Sequence, residues 1–190
     1  MRRVSKNLGC ILFVASLLLC TTAGRASIHQ VWDQGHFFQP ETLLQMETIL
    51  EDIDAKFNKD LMIETFSSIP DQKKAELQEK GKDQFFVDWA MSEGGRLKVN
   101  GIIILISADP RYIRIELGLD TRHKAFTEKD RDELVRILFP PFKNNEYDKG
   151  IIAAAEFVRD RMARNLAEHP TTQTQSTSQP ATTQPANVSK

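Results

Sequence analysis

Apolar residues recur at helical spacing in some stretches of the chain and in unbroken or alternating runs in others. Leu43, Met46, Leu50, Ile53 and Phe57 fall three or four positions apart, which predicts a helix from about Pro40 to Phe57 with one apolar stripe. Pro40 suits the first turn, where no N–H is needed, and Glu41 favours the positive helix end. Asn58-Lys59-Asp60 turns the chain, and Leu61, Met62, Ile63, Thr65, Phe66 and Ile69 predict a strand that Pro70 ends. A second helical region spans about Asp71 to Met91 with a break near Gly81. Phe85, Phe86 and Trp89 supply its core contacts, and Gly94-Gly95 is expected to end it.

The run Ile102-Ile103-Ile104-Leu105-Ile106 reads as a strand buried on both faces. A four-residue turn, Ala108-Asp109-Pro110-Arg111, follows. Tyr112, Ile113, Ile115 and Leu117 then alternate in part with Arg114 and Glu116, as an edge strand does. Pairing Ile102 with Leu117 sets Asn100 beside the Gly118–Asp120 loop. Thr127, with Asp130 as a capping-box partner, predicts the start of a third helix that buries Leu134, Val135, Ile137 and Leu138 and stops at Pro140-Pro141. A fourth helix runs from about Tyr147 to Glu168, with Ile151, Ala154, Ala155, Val158, Met162 and Leu166 on one face. Its Ala153-Ala154-Ala155 run is expected to let it approach the sheet closely.

The predicted order is helix, strand, helix, strand, strand, helix, helix. Strand, crossover helix and strand imply a right-handed parallel pair, and the short turn makes the third strand antiparallel. The fold class is therefore α/β: a three-layer α/β/α sandwich around a small mixed sheet, a parallel pair plus an antiparallel hairpin strand.

The two ends of the chain read differently. Arg2, Arg3 and Lys6 precede a nine-residue apolar core, Ile11 to Leu19, and small residues occupy the −3 and −1 positions at Thr21/Ala23 and Gly24/Ala26. A membrane span needs roughly 20 apolar residues, so residues 1–26 read as a secretory signal peptide and the mature chain as exported, periplasmic or extracellular, with no transmembrane helix. Cys20 follows Leu19, where a lipoprotein signal wants a small residue, which argues against a lipid anchor. Residues 170–190, rich in Thr, Gln, Ser, Pro and Ala, cannot bury enough apolar surface to order and are expected to be a disordered tail. Residues 27–169 form the single domain.

Both cysteines, Cys10 and Cys20, lie in the signal, so the domain has no thiol, disulfide or cysteine metal ligand. Setting aside Arg2, Arg3, Lys6, Arg25 and Lys190 leaves the domain 20 of the 25 basic residues and all 26 acids, a net charge of −6. No basic stripe appears, which argues against nucleic-acid binding.

Several stretches together resemble the TPM domain family of exported and thylakoid-lumen proteins. Val31-Trp32-Asp33 and Phe38-Gln39-Pro40-Glu41 are similar to its opening, and Trp89 lies in the second helical region as the family's does. Asn100-Gly101-Ile102-Ile103-Ile104-Leu105 resembles its Asp-Asn-Gly lead into the central strand. Arg111-Tyr112-Ile113-Arg114-Ile115-Glu116-Leu117-Gly118 follows its Arg-x-x-Arg-Ile-Glu-x-Gly segment. Pro141-Phe142 and Tyr147-Asp148-Lys149-Gly150-Ile151 match its closing pattern. The resemblance covers roughly Val31 to Arg164. It implies an α/β/α sandwich and a range of functions: maintenance of membrane-bound complexes, receptor accessory roles, calcium binding and weak acid phosphatase activity. The chain departs from the pattern at Val99, where the family has Asp, at Gly118-Leu119-Asp120-Thr121, which lacks a second glycine, and at Gln39, which replaces a capping Ser.

Two candidate sites follow. Asn100 and Asp120, with Asp33 added because the family has an acid there, form a candidate site for Ca2+ or Mg2+, hard cations that take oxygen ligands. The carboxyl end of the parallel strands is the second, because open α/β sheets bind ligands there. Ser107, Asp109 and Arg111 could hold a phosphate at that end, although Asp109-Pro110 also reads simply as a tight turn. Asp52 and Asp54 lie on a helix and read as a solvated face. His29, His36, His123 and His169 have no metal-ligand spacing, and no Gly-x-Ser-x-Gly elbow is present. The leading functional reading is a protein-binding or accessory module, with a protein partner at the cell envelope and a role in envelope or membrane-complex maintenance. The alternative is a divalent-metal-assisted weak acid phosphatase.

Overall fold

The structure, a computed structural model, describes residues 30–168. The predicted signal peptide, Cys20 and the predicted tail lie outside the described residues. Strand β1 (Gln30–Asp33) leads into helix α1 (Pro40–Phe57), followed by β2 (Asp60–Phe66), α2 (Asp71–Lys80), α3 (Lys82–Leu97), β3 (Gly101–Ala108) and β4 (Arg111–Leu117). A five-residue π turn (Thr121–Ala125) precedes α4 (Glu128–Lys143) and α5 (Tyr147–Glu168). The four strands lie in the order β1-β2-β3-β4, with β1, β2 and β3 parallel and β4 antiparallel at the edge. Ile102 pairs with Leu117, as the hairpin pattern predicts.

Alternation along the strands divides the core into two clusters. Leu61, Ile63, Ile102, Ile104, Ile106 and Ile115 face α1, α4 and α5, where Leu50, Leu138 and Val158 meet them. Met62, Phe66, Ile103 and Leu105 face α3, against Phe85, Phe86 and Trp89. The sheet is thus covered on both faces, which is the α/β/α sandwich.

Five local expectations are corrected. Strand β1 was not anticipated, because four residues carry too little periodicity to register and pairing with β2 alone holds them in place. Helix α3 continues through Gly94-Gly95 to Leu97. Its end is set by Lys98, at φ 57°, with Val99 N–H donating to Gly94 O at 2.9 Å. Helix α4 likewise passes through Pro140-Pro141 to Lys143. Two prolines remove two N–H donors but keep a helical φ, and Asn144 N–H still donates to both of their carbonyls. Of the four residues expected to be buried on α4, Leu134 and Leu138 are, whereas Val135 is exposed. Helix α5 packs chiefly against α1 and α4, so its alanines fit it to those helices more than to the sheet.

The crossovers β1–α1–β2 and β2–α2–α3–β3 lie on opposite faces while the strands advance in one direction, so they have opposite hands. One of them therefore departs from the right-handed rule.

Candidate functional site

The hairpin does bring Asn100 beside the Gly118–Asp120 segment: Gly118 N–H donates to Gly101 O at 2.8 Å. The Asn100 side chain, however, points into the turn between α1 and β2. Its amide donates to Asn58 O at 2.9 Å, its oxygen accepts from Lys59 Nζ at 3.1 Å, and its backbone N–H donates to Asp60 Oδ2 at 2.5 Å. Asp120 is exposed. The two residues line a cleft of about 620 Å³ with Gly94, Gly95, Gly118, Lys98, Glu116 and Arg122. Met91 and Leu119 flank it and are 61% and 71% exposed.

Asp33 does not join this corner. It ends β1 and pairs with Thr65, which pairs with Ile106, near the other end of the sheet. Five residues of β3 separate the two positions, about 16 Å of strand. Both oxygens of Asp33 are engaged: Oδ1 accepts from Phe37 N–H at 3.0 Å and from the Thr65 hydroxyl, and Oδ2 accepts from Phe38 N–H at 3.0 Å. Among the described residues, no group of three or more His, Cys, Asp or Glu is placed to hold a metal ion.

The carboxyl end of the parallel strands opens into a second cleft of about 540 Å³. Of the three residues predicted there, Ser107 and Arg111 line it and Asp109 does not. Ser107 is buried and its hydroxyl donates to Asp109 O at 3.2 Å, so it shapes the turn. Sequence reasoning missed the rest of this cleft. Phe37 and Tyr147 stack with ring centroids 4.9 Å apart, Phe139 and Val135 come from α4, and Lys82 and Lys143 join Arg111. The available signal was an apolar residue on the polar side of the α4 stripe, Phe139, which is 59% exposed.

The match to known proteins is decided over the same stretch of chain. Residues 31–161 match the TPM domain. The chain belongs to the TPM domain family. The solved N-terminal domain of a protein from P. gingivalis has the same fold, at a TM-score of 0.54 and 18% sequence identity, covering 72% of this chain and 83% of that one. The N-terminal domain of the cg2496 protein from Corynebacterium glutamicum is also similar, at a TM-score of 0.46 and 15% identity, covering 76% and 86%. No curated protein matches the chain.

This TPM domain also holds a buried acid that the pattern of its strand concealed. Glu64 lies mid-strand on the α3 face of β2, between Trp32 of β1 and Leu105 of β3. Only 4% of it is exposed; Oε1 accepts from Gln34 Nε2 at 3.2 Å, and Oε2 has no partner among the described residues. Burial, reinforced by the charge of Glu93, pushes its carboxyl up to about 7, against the pull of Arg96 and Lys73. The sequence signal was an acid set between Met62 and Phe66, the apolar residues on its own face of β2.

No helix among the described residues of this TPM domain is long and apolar enough to cross a membrane.

Proposed function

We propose that this TPM domain is an exported accessory module that binds a partner protein at the cell envelope through the cleft between Met91 and Leu119. One observation carries the reading: two large apolar side chains, 61% and 71% exposed, flank a floor of Gly94, Gly95 and Gly118. Large apolar side chains grouped at one concavity and rimmed by polar residues are consistent with an interaction site, where singly scattered ones are not. Glycines without side chains let a partner's main chain approach closely. Lys98, Glu116 and Arg122 supply a polar rim of mixed sign that can orient the partner. Export rests on the basic-then-apolar pattern of residues 1–26.

The test is recovery of partners from the native envelope with the full chain and with Leu119→Asp. The variant is expected to keep its melting temperature and to lose the partner. Equal recovery by Leu119→Asp and by Met91→Asp overturns the proposal.

The phosphatase alternative draws on Asp120, whose exposed carboxylate lies in the same cleft. Hydrolysis of a generic phosphomonoester that needs calcium or magnesium and disappears in Asp120→Ala would establish it in place of the binding role.

A further inference from the structure

The cleft at the hairpin tip has a composition that the first cleft lacks. We propose that it binds an amphiphilic anion: one carboxylate or phosphate carried on an unbranched apolar chain. Its volume, about 540 Å³, lies in the range of small-molecule sites. One wall is apolar, built from Ile106 and Ile113 of the hairpin, Val135 and Phe139 of α4, and the stacked pair Phe37 and Tyr147. Val135 and Phe139 are 40% and 59% exposed, so this wall faces open space that an apolar chain could fill.

The charged residues that line the cleft are of one sign, with Asp83 outside the lining and bonded to the Tyr112 hydroxyl at 2.9 Å. Lys82, Arg111 and Lys143 line it, and no Asp or Glu does. Among the described residues none of the three is within ion-pair distance of a carboxylate, although Lys82 lies over the Tyr112 ring at 5.4 Å. The domain as a whole is acidic, so three cations gathered on one apolar cleft favour an anion locally. Arg111, with a planar guanidinium, can meet a carboxylate or phosphate through two parallel hydrogen bonds. The other cleft carries Glu116 and Asp120 beside Lys98 and Arg122, so its lining charges offset one another and do not select for an anion.

An apolar chain with a single anionic head satisfies both halves of the cleft. An alcohol of equal length satisfies one, and a short anion the other. This site is separate from the Met91–Leu119 cleft, so its failure and that of the proposed partner binding are independent.

Isothermal titration calorimetry of the full chain with decanoate and with decyl phosphate, below their micelle concentrations, tests the idea. Binding of either that is at least about tenfold tighter than that of decanol supports it, and the tighter of the two identifies the head group. The Arg111→Gln, Lys143→Gln double variant should weaken the anion at least about tenfold and leave decanol unchanged. Phe139→Ser should weaken both. Lys143→Glu is a second probe if the double variant melts earlier than the parent chain. Decanol or decyltrimethylammonium binding as tightly as decanoate overturns the proposal, as does decanoate binding that ignores the charge variants. Binding to anionic vesicles that excess decanoate does not compete would also overturn it, by assigning the cations to a membrane surface.

Discussion

Asp33 accepts the backbone N–H of Phe37 at 3.0 Å. With its other oxygen it accepts Phe38 N–H, and it takes the Thr65 hydroxyl as well. One carboxylate thereby fixes the loop between β1 and α1, setting Phe37 onto Tyr147 and Phe38 into the core. The acid that the family resemblance placed at a metal site is, in this chain, the organiser of the opposite cleft.

Removing that carboxylate should therefore loosen the loop. Asp33→Ala is expected to cost roughly 2–4 kcal/mol in urea unfolding, because it strands two partly buried N–H groups. Asp33→Asn should cost less, since its amide oxygen can keep one of them. A loss under about 0.5 kcal/mol for the alanine variant would mean the loop finds other acceptors.

Two glycines should respond in opposite ways. A Cβ on Gly101 would lie 1.8 Å from Asp60 O, where β2 and β3 pair, and no rotamer change can relieve a backbone clash. Gly101→Ala is expected to cost more than about 4 kcal/mol and to give no cooperative melt. Gly95 sits in helix α3 with nothing within 4 Å of its added Cβ. Gly95→Ala should stabilise the domain by roughly 0.5–1 kcal/mol.

Asp130 ties the start of α4 to α5. Its Oδ1 accepts from Arg161 Nη1 at 2.6 Å, while Oδ2 accepts from Thr127 N–H at 2.8 Å and from Asn165 Nδ2 at 2.9 Å. Burial pushes this carboxyl up, but the bonds from Thr127 and Asn165 and the charge of Arg161 outweigh it and hold it below the usual carboxylate range. A lowered folded pKa gives stability that is present above the unfolded value, about 3.9, and lost as pH falls through the folded value. Asp130→Ala should cost roughly 1–3 kcal/mol at neutral pH, because it strands the Thr127 N–H and the Asn165 amide and leaves Arg161 with Glu133 as its remaining partner. Asp130→Asn should flatten the acid limb of the stability curve below about pH 4, read by urea midpoints.

Glu64 carries the opposite sign. Its folded carboxyl is raised from 4.5 to about 7, so the native state binds more protons than the unfolded one between those values. Its contribution is fully present below pH 4.5 and is lost as pH rises through about 7. Glu64→Gln should remove that loss, leaving the variant more stable than the parent at pH 8 and close to it at pH 5. An unchanged slope between pH 5 and 8 would assign the pH dependence to other groups.

Much of the fold was legible in local pattern. The α1 stripe, the capping box at Thr127 and the Ile102–Leu117 pairing each depend on residues close in sequence or on simple alternation, and all three occur in the structure. The ends of α3 and α4 were not legible. Glycine and proline carry helix penalties of about 1 and 3 kcal/mol, and packing against the sheet and against α5 overrides them. Of the two candidate sites, the pairing of Asn100 with the Asp120 segment could be read from register. The direction of the Asn100 amide could not, because its partners Asn58 and Lys59 lie some forty residues away in sequence.

The sequence by itself determined the types of the longer elements and the hairpin register, because these follow from periodicity and short-range chemistry, and its motifs carried the resemblance to the family. Tertiary structure decided which side chains share a cleft. The family resemblance joins Asp33 and Asn100 in one candidate site, yet parallel pairing of β1, β2 and β3 sends them to opposite ends of the sheet. The same pairing and helix packing gather Lys82, Arg111 and Lys143 from three separate elements, and only their spatial convergence gives that end of the molecule its charge.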